Sequence, residues 1–152
     1  MRLFLDTNII LEYIEHRLQY ESVRRIMESI QNGENEALMS QGSIYTLAYL
    51  IERTLKANNI HRPELTERIR LTMSAILQLV EPTGITRGEM LNAVLNKDFT
   101  DIEDSFQYEC ASKNRCGTII TVNTDDYKNA DQSRMEILTP QAFVEKYINV
   151  EL

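Results

Sequence analysis

The sequence predicts an α/β fold in which a mostly parallel central sheet carries helices on both faces. Three observations support this. Short apolar runs at residues 3–5, 37–39, 118–122 and 135–138 alternate with segments of helical periodicity. Strands joined through intervening helices run parallel. The first run ends abruptly on a carboxylate, Asp6, followed by Thr7 and Asn8. The run Thr118-Ile119-Ile120-Thr121-Val122 is the strongest strand signal in the chain and is also followed by polar and acidic residues. One domain is expected, since 152 residues, 43% of them hydrophobic, suffice for a single core.

The first strand covers about Arg2 to Leu5, and a short helix starts near Asn8 with Ile10, Leu11 and Ile14 turned inward. Ser22 reads as the N-cap of a second helix that places Val23, Ile26, Met27 and Ile30 on one face. Gln31-Asn32-Gly33 closes it, glycine being suited to the C-terminal stop. Ala37-Leu38-Met39 is the second strand and Ser40 to Ser43 a loop. Ile44, Leu47, Ala48, Ile51 and Leu55 stripe a third helix that ends at Ala57-Asn58-Asn59. Pro63 opens a fourth, because its missing N–H costs nothing in a first turn. Leu65, Ile69, Met73, Ile76, Leu77 and Val80 keep the period until Pro82 and Gly84 mark the exit.

A fifth helix spans Arg87 to Leu95, with Met90, Leu91 and Val94 apolar. Residues 101–104 open a sixth that runs to about Lys113 and buries Phe106, Cys110 and Gln107. Residues 123–126 turn after the strong strand, and Met135 to Leu138 form the last strand. Thr139-Pro140 starts a closing helix with Phe143 and Tyr147.

Composition removes several classes of function. No apolar run is long enough to cross a membrane, and the N-terminus enters a strand-like segment without a signal-peptide layout. Cys110 and Cys116 show neither CxxC nor zinc spacing. Both facts lead to the expectation of a reduced, cytoplasmic protein. A net charge of −7 provides no global positive field to coat nucleic acid. His16 and His61 stand in no triad context, and no glycine-rich phosphate loop is present.

The acidic residues are grouped where elements begin or end. Asp6 follows the first strand, Asp101 and Asp104 open the sixth helix, and Asp125 and Asp126 follow the strong strand. Parallel strands exit at one edge, where open α/β sheets bind ligands. Carboxylates converging there repel one another unless a cation sits among them, and hard oxygen ligands suit Mg²⁺ or Mn²⁺. Asp6 and Asp104 are the principal candidate ligands, with Asp126 as third ligand or outer partner; Thr7, Asn8, Asp101 and Asn123 are supporting candidates. Plain structural roles compete: Asp6, Thr7 and Asn8 are good helix caps, Asp101 three residues before Asp104 fits an N-cap, and Asp125 and Asp126 fit turn positions. Arg24, Arg25, Arg53, Lys56, Arg62, Arg68 and Arg70 could touch phosphates or simply solvate helix faces. Tyr45 and Tyr49 could stack on bases, although one of them is expected in the core.

The order strand–Leu5-Asp6-Thr7-Asn8, then Asp104-Ser105-Phe106-Gln107-Tyr108-Glu109-Cys110-Ala111, then Ile120-Thr121-Val122-Asn123 with Asp126-Tyr127 resembles the PIN-domain family of metal-dependent ribonucleases related to bacterial VapC-type toxins. The ending Ile137-Leu138-Thr139-Pro140 with Phe143 resembles the family's last strand and helix, so the likeness spans nearly the whole chain. It implies a three-layer α/β/α sandwich and Mg²⁺- or Mn²⁺-dependent hydrolysis of RNA phosphodiesters. It also implies a homodimer using apolar residues of the third and fourth helices, and a toxin role with a small antitoxin protein as partner. One departure stands out. The family carries a Glu in the helix after the second strand, and Thr46 falls about at its place, with Glu52 well over a turn beyond. Asn123 stands where Asp is frequent. That thinning keeps a second reading open, a catalytically weak or inactive module that binds RNA or protein.

Overall fold

The computed structural model describes residues 1–150. Five strands, β1 (Arg2–Leu5), β2 (Glu36–Ser40), β3 (Val80–Thr83), β4 (Thr118–Ile120) and β5 (Glu136–Leu138), form one sheet in the order β3-β2-β1-β4-β5. Every pairing is parallel. The helices are α1 (Thr7–Ile14), α2 (Tyr20–Gln31), α3 (Gln41–Ala57), α4 (Glu64–Leu79), α5 (Arg87–Leu95), α6 (Ile102–Lys113) and α7 (Pro140–Phe143). A 3-10 turn spans Thr124–Tyr127 and a π turn Val144–Ile148.

The alternation of β1 builds the layers. Leu3 and Leu5 point into one core with Ile9, Ile10, Val23, Ile26 and Leu47, whereas Phe4 points into the other with Leu38, Ile119, Cys110 and Tyr127. A strand covered on both faces reads as an uninterrupted apolar run, as Leu3-Phe4-Leu5 does. Leu5 pairs with Ile120, and the Asp6 N–H donates to the Ile120 carbonyl at 3.0 Å. The two central strands therefore end side by side. Whatever follows each of them lands at one edge.

Several local expectations are corrected. Val80 to Thr83, where the sequence pattern predicts a helix end and exit, is an edge strand paired with β2. Pro82 is tolerated there because an edge strand needs no ladder donor on its outer side. Residues 40–43 are not a loop: Ser40 ends β2 and caps α3, its Oγ accepting from the Ser43 N–H at 3.0 Å. Helix α2 begins at Tyr20, with Ser22 inside its first turn rather than capping it. Helix α5 spans Arg87–Leu95 as expected, with only Ala93 buried and Met90, Leu91 and Val94 exposed. Leu77 of α4 is exposed as well. Phe106 is half-buried. Among the described residues, no helix is long and apolar enough to cross a membrane.

Candidate active site

Asp6 occupies the N-cap position of α1 in extended conformation, yet its side chain makes no capping hydrogen bond. Oδ2 instead accepts from the Thr121 hydroxyl at 2.8 Å. Thr121, just past β4, accepts in turn from the Asn123 N–H at 3.1 Å. One buried hydroxyl thus ties the exit of β4 to the carboxylate at the exit of β1. Asp6 is only 5% exposed. Burial raises its pKa above the usual carboxylate range, and the Thr121 hydroxyl, the Gln107 side chain and the backbone N–H groups of Thr7 and Asn8 draw it back.

Asp104 stands in the first turn of α6. Asp101 is the cap of that helix, its Oδ1 accepting from the Glu103 N–H at 2.8 Å and the Asp104 N–H at 3.3 Å. Asp104 Oδ1 accepts from the Tyr127 hydroxyl at 3.3 Å. Its carboxyl is pushed up to about 7, first by burial and then by the charges of Asp6, Asp101 and Asp126, with the Tyr127 hydroxyl opposing. Glu103 is raised by burial, Asp6 and Asp101.

These groups face one pocket of about 220 Å³. It is lined by Asp6, Thr7 and Asn8 from the β1–α1 junction, Thr46 and Leu50 from α3, Asp101, Glu103, Asp104 and Gln107 from α6, and Asn123 and Asp126 beyond β4. All seven residues predicted from the sequence are there, and Asp125 does not line the pocket. Among the described residues, no three His, Cys, Asp or Glu side chains gather closely enough to hold a metal ion as a ready-made cage. The observed donors are two inner carboxylates, with Asp126 exposed on the rim. A larger cleft of about 820 Å³ opens beside Arg2, Glu36 and Glu81, but Arg2 and Glu36 already neutralise each other at 2.9 Å.

Gln107, Thr121 and Tyr127 are contributors that the sequence did not single out. A buried Gln on a helix reads as filler, a Thr in a β-branched run reads as strand, and only the shared edge gives either a target. The basic residues follow the plainer reading. Arg24 pairs with Glu21 and Glu28, Lys56 and Arg62 with Glu52, Arg68 with Glu64, and Arg70 with Glu67. Tyr45 and Tyr49 are both exposed, at 80% and 61%, so neither belongs to the core.

The raised Asp104 carboxyl makes stability depend on pH in a defined direction. The folded protein holds a proton on Asp104 up to about pH 7, while the unfolded chain releases it near the ordinary aspartate value of 3.8. Stability is therefore fully present below that lower value and is lost as pH rises through about 7. In metal-free buffer, melting temperature should fall between pH 5 and 8, and Asp104→Asn should flatten the decline. Thermal melts across that range check it; equal slopes for the two proteins would contradict the assignment.

The PIN-domain profile matches residues 2–125. The chain belongs to the PIN-domain family. Over 151 residues this PIN domain is 24% identical to ribonuclease VapC1 of Aquifex aeolicus (strain VF5), a match covering 96% of this chain and 95% of that protein. It superposes on VapBC2 from Rickettsia felis, solved bound to a DNA fragment from their promoter, with TM-score 0.62 and 17% identity, covering 91% of this chain and 98% of that one. FitAB bound to the IR36 DNA fragment gives TM-score 0.64 at 16% identity, covering 91% and 94%. Mycobacterium tuberculosis VapC20, a toxin that cleaves the Sarcin-Ricin loop, gives 0.60 at 13%, covering 87% and 98%. These likenesses establish the fold of the PIN domain; the α/β class with its all-parallel sheet matches the sequence expectation.

Proposed function

We propose that this PIN domain is a divalent-metal-dependent endoribonuclease. The observation that carries the reading is the convergence of Asp6 and Asp104, from different elements, on one pocket where burial and the Asp6 charge disfavour the ionised Asp104 carboxylate unless a cation is present. The donor set is all oxygen, which suits Mg²⁺ or Mn²⁺ over softer metals. Mg²⁺ keeps several waters and is commonly held by one or two carboxylates, so a two-carboxylate site with room for water fits it. A bound divalent ion neutralises charge on the phosphate and acidifies a water.

In this reading, Asp6 and Asp104 hold the ion, with Thr121 and Tyr127 orienting their oxygens. Asp126 on the rim accepts the proton from the attacking water. Thr7 and Asn8 hydrogen-bond substrate or solvent within the same pocket. The likeness to a toxin and to DNA-bound assemblies supports a toxin role with a small antitoxin partner. Exposed Tyr45, Tyr49, Leu71 and Leu77 on α3 and α4 offer a surface for a homodimer.

The missing cage, with Thr46 in place of an acid, favours the alternative of a binding module. Metal titration separates the two. At a concentration of Mn²⁺ about one hundred times the dissociation constant, binding to the folded state alone stabilises by about 2.7 kcal/mol, a rise of roughly 5–10 °C for a chain of this size. Asp6→Asn should abolish that rise and should itself raise the metal-free melting temperature by relieving repulsion. A wild type unmoved by Mg²⁺ or Mn²⁺ would leave the binding module standing.

A further inference from the structure

Gln107 lies three residues after Asp104 on α6, so the two side chains leave the helix on one face. It is 2% exposed and lines the acidic pocket. Its carboxamide helps hold the Asp6 pKa down, while its Oε1 is buried with no hydrogen-bond partner. The Thr7 hydroxyl, 5% exposed in the wall of the same pocket, is likewise unpartnered. A buried polar atom without a partner lowers stability, and an apolar side chain would avoid that cost. Neighbouring buried positions on α6 are indeed small or apolar, as Cys110 and Ala111 show. The unsatisfied groups are thus concentrated where the carboxylates meet.

We propose that Gln107 is a positioning residue: it fixes the Asp6 carboxylate for a cation and, with Thr7, accepts the water that the cation carries. The proposal rests on the metal-dependent reading given above. The Thr121 hydroxyl holds Asp6 at 2.8 Å, and Gln107 shares its pocket wall, from which its amide can steady the same carboxylate. The choice of an amide follows from charge. A Lys or Arg would donate as well but would compete with the cation, and a carboxylate would repel Asp6. A carboxamide donates without net charge and keeps an acceptor for a cation-bound water. Such outer partners of metal ligands commonly account for 10–100-fold in metal affinity.

The test is Gln107→Met, which preserves length and approximate volume but neither donates nor accepts as an amide does. Isothermal titration with Mn²⁺ should show affinity weakened 10–100-fold, while the metal-free melting temperature stays level or rises because the orphaned oxygen is gone. A packing role alone gives the opposite pair, a lower metal-free melting temperature with unchanged Mn²⁺ affinity, and overturns the proposal. The wild type supplies a measurement independent of that variant's folding. The Gln107 side-chain NH₂ resonances should move on Mg²⁺ titration and stay fixed in Asp6→Asn; wild-type resonances that do not move overturn it. Wild-type protein that binds no Mn²⁺ overturns the metal reading and this role with it. Equal Mn²⁺ binding by wild type and Gln107→Met overturns only the role of Gln107.

Discussion

Asp104→Ala and Asp6→Ala are each expected to lower Mn²⁺-dependent cleavage of a single-stranded RNA by about a thousandfold. That factor corresponds to about 4 kcal/mol of transition-state stabilisation, within the several kcal/mol that a bound divalent ion supplies. Folding should survive both changes. Asp104 is held up to about 7 by burial and by the charges around it, so its loss removes repulsion rather than support. A labelled RNA assay with an EDTA control, run beside thermal melts, checks both halves. The loss should appear in kcat, since these groups act on the reacting phosphate. Cleavage that ignores EDTA and both substitutions would defeat the nuclease reading. RNA retention without cleavage would support the binding module.

The layered fold was legible because its central strands announce themselves. Leu3-Phe4-Leu5 and Thr118–Ile120 are short, apolar and flanked by polar residues, which is what strands covered on both faces require. Edge elements were less legible. Strand β3 is four residues, contains Pro82 and follows α4 without a break, so its onset merges with a helical period that ends on Leu79. The pattern gave the extent of α5 but not the face it buries, since Met90, Leu91 and Val94 are apolar yet exposed and only Ala93 is buried.

The candidate site was legible in its charges and not in its neutral groups. Asp6, Asp104 and Asp126 stand out because a carboxylate at the end of an apolar strand or in a first turn has few structural uses. Thr121 does not stand out, since β-branched residues belong in strands on propensity alone. Its task appears only when Leu5 is set beside Ile120, which brings its hydroxyl to Asp6. Asp101 shows the converse. Its place three residues before Asp104 marked it as a cap or outer support, and it is the cap of α6 while also standing on the pocket wall.

Thr46→Glu should raise Mn²⁺ affinity about tenfold or more, each factor of ten corresponding to about 1.4 kcal/mol. Thr46 lines the same pocket from α3 as the carboxylates of α6, and its exposure leaves room for a longer side chain. A third inner oxygen donor would complete the partial cage formed by Asp6 and Asp104, and cleavage should increase with it. The same substitution adds negative charge beside Asp6 and Asp104, so the metal-free protein should melt lower than wild type and should regain more on Mn²⁺ addition. The opposite signs make the test strict. Glu52 cannot supply this donor, because it is committed to Arg62 at 2.7 Å and to Lys56 at 3.5 Å. A variant that melts lower without Mn²⁺ yet binds Mn²⁺ no more tightly would place the cation beyond the reach of α3. One that changes neither quantity would mean that the side chain at position 46 turns away from Asp6 and Asp104.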